Sequence, residues 1–146
     1  MEVNGLQPIS GLEFIRYRSG YKYQLSRRYV IILPITGYRI DHEWFTLDIG
    51  GRLAIRSGYA WDGPSGPAID TKSFMRGSLV HDVLYQMIRF GLLPPEMRQR
   101  ADMILRDLCI MDGMWRWRAN MVYAAVRRFG AAAASPDHSK KEMTAP

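Results

Sequence analysis

The chain has 146 residues, 47% of them apolar, and carries a net charge of +6 at neutral pH. That length suits one domain with a substantial core, and that composition excludes intrinsic disorder. No apolar run reaches the roughly 18–20 residues of a membrane-spanning helix, and Cys109, the only cysteine, leaves no intrachain disulfide and no cysteine-built zinc site.

The first sixty residues read as strands. "LEFIRYR", "YKYQL", "YVIIL", "GYRI", "WFTLDI" and "RLAIR" are short, aromatic or β-branched, and separated by turn residues. "LDIGGRLAI" is the clearest hairpin, with Gly50-Gly51 between two alternating runs. Pro34 belongs at a strand end or edge, because it has no N–H for a ladder. The stretch Gly58–Asp70, "GYAWDGPSGPAID", holds three glycines and two prolines and reads as a shaped loop, not a strand.

From Thr71 the period changes to that of helices. "TKSFMRGSLVHDVLYQMIRFG" is the first, capped by Thr71 or Ser73 and ended by Gly91. "LLPPEMRQRADMILRDLCIMDG" is the second, opened by Pro95 and closed near Gly113. "MWRWRANMVYAAVRRFG" is the third. Its apolar positions Trp115, Ala119, Val122, Val126 and Phe129 predict one buried stripe, with Trp117 off it on the surface and Gly130 as the stop. The last sixteen residues lack a core pattern and read as a flexible tail. The expected architecture is α+β: an N-terminal antiparallel β-sheet followed by three antiparallel α-helices, as a single domain over 1–130 with a tail over 131–146.

"VHDVLYQ" holds the candidate chemistry. His81 and Tyr85 are four residues apart and share a helix face. Gly77 lies one turn before His81 on that face, where its lack of bulk lets another backbone or a ligand approach. The short connection "GLLPP" makes the first two helices antiparallel neighbours. His81 lies about ten residues before that turn and Asp102 about nine after it, so the two stand at similar height. Asp102 is therefore placed to face His81 or Tyr85. A carboxylate on one imidazole nitrogen fixes the tautomer and strengthens the other as a base. Asp82 points about 100° away from His81. With Asp62, and with Ser65 in the glycine-proline loop, it makes an oxygen-rich region suited to a hard cation such as calcium.

The motifs "GYAWDGPSGP", "LVHDVLYQ", "RQRADMIL" and "AAVRRFG", in this order, resemble the uncharacterised phage and prophage domain-of-unknown-function family thirteen fifty-three, over Ile55 to Gly130. The resemblance implies a phage or prophage origin and no established activity. Many members of that family have a "D-x-A-S-x-P" loop, whereas here Asp62-Gly63-Pro64-Ser65-Gly66-Pro67 replaces the alanine by proline. The His-Asp-x-x-Tyr helix, preceded by a glycine-rich loop and faced by an aspartate, is also similar to the phospholipase A2 arrangement. Carried over by position, that likeness implies His81 as the base that activates water and Asp82 as a calcium ligand. Asp102 would orient His81 with help from Tyr85, and the calcium loop would fall within Trp61–Pro67. The disulfides and the glycine pattern of the secreted enzymes are absent.

Two readings of His81, Tyr85 and Asp102 stay open. They form an active site, or they form a polar network that pins two helices together. The first makes the chain a small phage-encoded hydrolase acting on an ester or related acyl bond. The second suits a non-enzymatic virion component of the tail or neck, with Trp117 and the arginines anchoring neighbouring subunits. A host-directed accessory binder inside the cell is a third possibility. Sixteen of the twenty basic residues are arginines, which favours virion proteins or an anionic lipid surface as partners. No standard nucleic-acid motif is present, so no specific nucleic acid is expected. The opening "MEVNGLQPIS" lacks the basic start and apolar stretch of a signal peptide, and places the chain in the host cytoplasm or the virion. Cys109 reads as a small core residue.

Overall fold

The computed structural model describes residues 9–11, 14–18, 23–63 and 72–136. Eight short strands come first: β1 (Ser10–Gly11), β2 (Tyr17–Arg18), β3 (Tyr23–Leu25), β4 (Tyr29–Ile32), β5 (Ile40–Asp41), β6 (Phe45–Leu47), β7 (Arg52–Ile55) and β8 (Ala60–Trp61). Three helices follow: α1 (Lys72–Arg89), α2 (Met97–Met111) and α3 (Arg116–Phe129). All strand pairs are antiparallel. The fold is α+β, as expected from the change of period.

The strands divide into two sheets, one of five in the order β1-β4-β7-β6-β5 and one of three in the order β2-β3-β8. Strand alternation sets their buried face. Tyr29 and Ile31 of β4 point inward, as do Phe45 and Leu47 of β6 on either side of the exposed Thr46. The Gly50-Gly51 hairpin forms, with Leu47 opposite Leu53. Its turn runs from Asp48 to Arg52, whose amide donates to Asp48 Oδ1 at 2.9 Å. Gly51 adopts φ 93° and sits against the Leu33 carbonyl, where a Cβ has no room. Gly51→Ala is therefore expected to cost about 1–3 kcal/mol in urea unfolding; an unchanged midpoint would show that the hairpin tolerates a side chain there.

The glycine-proline stretch departs from expectation at its start. Ala60 and Trp61 form β8, paired with Gln24 and Tyr23 of β3, because the Gly58 turn (φ 98°) aims them along that edge. Ser65 and the expected cap Thr71 lie outside the described residues.

Helix α1 is the centre of the molecule. Every residue from Phe74 to His81 is buried, so this part of the helix is enclosed on all sides instead of showing one apolar stripe, whereas Asp82, Gln86 and Arg89 farther along form a half-buried side. Leu79, Val80, Val83 and Leu84 join Ile31, Leu53 and Ile55 of the large sheet in one core. Gly77 allows the crossing of α1 with α2: a Cβ there would lie 3.1 Å from Leu105 and 3.2 Å from Cys109. The space this glycine creates is thus filled by α2, and no ligand approaches there.

Helix α3 packs on α2 through a narrower strip than its sequence predicts. Ala119 is fully buried, and Val122 and Val126 are half-buried against Phe74, Leu105, Cys109 and Met114. Trp115, however, is 72% exposed and Phe129 73% exposed. Trp115 caps the helix in an extended conformation, so its side chain does not follow the helical period. Phe129 is the last helical residue and overhangs the packed strip. The chain does not leave the domain at Gly130. Ala132–Ala134 form a 3-10 turn whose Ala133 carbonyl accepts from Arg89 at 2.9 Å, and Ala134 joins the core. The packed part therefore extends past the expected boundary at 130, since alanines are small enough to dock on α1.

Candidate functional site

A buried helix can hold polar side chains only if each finds a partner, because an orphaned group costs about 1–3 kcal/mol. Those of α1 all do. Trp61 Nε1 donates to Ser78 Oγ at 3.0 Å, and Ser78 donates to the Met75 carbonyl. Tyr59 donates to Gln86 Oε1 at 2.7 Å. Arg76 forks onto Asp112, with Nη2 2.7 Å from Oδ1 and Nε 3.0 Å from Oδ2.

The remaining two, His81 and Tyr85, converge on Asp102. His81 Nε2 lies 2.8 Å from Asp102 Oδ1, and the Tyr85 hydroxyl donates to the same oxygen at 2.6 Å. The short "GLLPP" turn produces this meeting by setting the two helices antiparallel, as the matched distances from the turn predict. The second oxygen, Oδ2, accepts from Arg127 Nη1 of α3 at 2.8 Å and has Arg98 Nη1 at 3.6 Å. Asp102 is 0% exposed, so its charge rests wholly on these neighbours.

Burial alone would raise the Asp102 carboxyl. The hydrogen bonds from His81, Tyr85 and Arg127 outweigh it and hold the group below its ordinary value. Asp102 is thus an anion at neutral pH. An anionic acceptor on Nε2 requires that nitrogen to carry the proton, which leaves Nδ1 of neutral His81 with its lone pair. Among the described residues Nδ1 has no hydrogen-bond partner, and the residue keeps 8% of its surface exposed. Burial, then the Asp102 hydrogen bond and charge, raise the Tyr85 phenol, so it remains a donor.

Sequence reasoning missed three members of this cluster. Arg98 stands four residues before Asp102, a spacing that itself signals a helical ion pair. It also donates to the Val126 and Arg127 carbonyls at 3.0 and 3.2 Å, gripping the end of α3. Arg127 left no local signal, since only the third helix's placement brings it in. Gly130 closes over the cluster: a Cβ there would lie 2.6 Å from the Tyr85 hydroxyl.

The expected cation ligands are placed less completely. Asp62 is exposed and Asp82 half-buried. Burial raises the Tyr59 phenol, and the charges of Asp82 and Asp62 raise it further against Arg89. Calcium takes about six to eight oxygens, and the described residues contain no group of three or more His, Cys, Asp or Glu able to hold a metal. The rest of the loop, with Ser65, lies outside the described residues. Cys109 is buried and its thiol is pushed up to about 12, chiefly by burial and then by Asp112, which makes it a core residue and no nucleophile. Trp117 is 58% exposed on α3, far from a core role.

No family model, no curated protein and no solved structure matches this chain. No helix among the described residues is long and apolar enough to cross a membrane.

Proposed function

We propose that the chain is a small hydrolase, of phage or prophage origin, that cleaves a carboxylic ester with water activated by His81. The observation that carries this reading is the 2.8 Å contact of His81 Nε2 with buried, anionic Asp102, which leaves Nδ1 as the acceptor. In this reaction Nδ1 takes a proton from water as the water oxygen bonds to the ester carbonyl carbon. The tetrahedral intermediate then expels the alcohol oxygen, which takes the proton back from the imidazolium. Asp102 steadies that imidazolium, and Tyr85 holds Asp102 in place. Trp61–Pro67 is the region that would bind calcium in the same reading, with Asp82 and Asp62 as ligands; calorimetric titration of wild type against Asp82→Asn tests it.

His81→Gln is the decisive variant. Fatty acid released from phosphatidylcholine–phosphatidylglycerol vesicles should fall by about 10²–10⁴-fold, while circular dichroism stays that of the wild type. Wild-type protein that releases no fatty acid defeats the phospholipid version. A fully active His81→Gln defeats the histidine mechanism.

A second reading has its own support. Asp102 is shared among residues of all three helices, as a purely structural keystone would be. It suits a non-enzymatic virion component. Stoichiometric copies in purified particles, with normal infectivity of His81→Gln phage, would select it.

A further inference from the structure

Helix α3 leaves a whole face without cover. Trp117, Met121, Ala124 and Arg128 recur at helical spacing on one side, and all four are exposed. Arg116 and Arg118 stand about 100° to either side of Trp117. The helix contains no acidic residue, and Arg127 and Arg128 occupy its last turn. Trp115 extends the face at its start, with its ring centroid 6.1 Å from that of Trp117. The result is an apolar centre with a cationic rim, along a helix about 21 Å long.

We infer that this face docks α3 flat onto an anionic lipid surface. Charge complementarity selects the occupant. A second copy packed through the same face would set arginine rim against arginine rim, with no carboxylate on α3 to separate them. Nucleic acid would satisfy the arginines and could stack a base on Trp115 or Trp117, but both tryptophans lie at the start of the helix, and Met121 and Ala124 beyond them offer successive bases no further stacking plane. A bilayer interface satisfies both parts. Tryptophan sits at the headgroup level, the methionine enters the acyl boundary, and arginines extend to phosphates. With no described helix able to span a membrane, the protein lies on the surface. This inference does not depend on hydrolysis by His81.

Flotation of the full chain with phosphatidylcholine vesicles, with and without phosphatidylglycerol, tests it. Wild type should float only with the anionic vesicles, less as salt is raised. Trp117→Ala/Met121→Ala and Arg116→Glu/Arg128→Glu should each weaken binding by about tenfold or more, with unchanged circular dichroism because these side chains are exposed. His81→Gln should float like wild type, which separates a failed hydrolase from a failed docking face. The inference is overturned if wild type stays with the soluble fraction, or if both double variants float unchanged. It is equally overturned if the variants abolish a single-stranded oligonucleotide complex, or a dimer seen in sedimentation velocity, while vesicle binding is untouched.

Discussion

Asp102→Asn is expected to lower the unfolding free energy by about 3–5 kcal/mol, the range for a buried charge cluster that loses its partner. The asparagine carbonyl can still accept from His81 and Tyr85. Its amide group, however, must turn toward Arg127 and Arg98, so donor meets donor and two guanidinium groups lose their shared anion. The melting temperature should fall by about 10 °C. A shift within about 1 °C would mean that the carboxylate charge does not hold the three helices together. If the proposed hydrolase reading holds, ester hydrolysis should fall as well, since a neutral carboxamide no longer dictates which imidazole nitrogen carries the proton.

The same substitution has a pH signature. The Asp102 carboxyl is held below its ordinary value of 3.8. Between the depressed and the ordinary value the unfolded chain binds more protons, so stability rises with pH. The contribution of Asp102 is complete above 3.8 and is lost as pH falls through the depressed value. Wild type should show that acid loss, and Asp102→Asn should lack this part of it. Asp107, on the same helix, acts in the opposite direction. Burial raises its carboxyl against the nearby Arg106, and its Oδ2 is the one buried side-chain oxygen or nitrogen without a partner among the described residues. Its stabilising protonated form is lost as pH rises through that raised value.

Arg76→Leu should cost about 2–4 kcal/mol, because it takes the forked guanidinium away from Asp112 and removes a partner of the Tyr29 hydroxyl. Arg76→Leu/Asp112→Leu should recover most of the loss, since a buried ion pair exchanged for packed apolar side chains is often close to neutral. A double-mutant cycle in urea measures the coupling directly. A coupling below about 0.5 kcal/mol would show that the two residues act independently.

The legible parts of this protein were those governed by neighbours in sequence. Alternation marked most strands, the period of 3.6 marked all three helices, and Gly91 and Gly113 ended two of them at φ 75° and 100°. The meeting of His81, Tyr85 and Asp102 was also legible, because a short turn between two helices leaves one geometry for residues equally far from it. Trp115 was not, since an extended capping residue escapes the helical period. Ala60–Trp61 was not, because strand pairing there depends on an edge offered by β3, far back in the chain.

By itself, then, the order of residues determined the α+β class, the existence and order of the three helices and the pairing of histidine with aspartate. Tertiary structure alone decided that α1 is enclosed on every side from Phe74 to His81, that Arg127 arrives from α3 to share Asp102, and that one face of α3 stays open. The division has a physical cause. Periodicity and turn chemistry act over a few residues, whereas burial and charge sharing depend on which distant surfaces the packed core brings together.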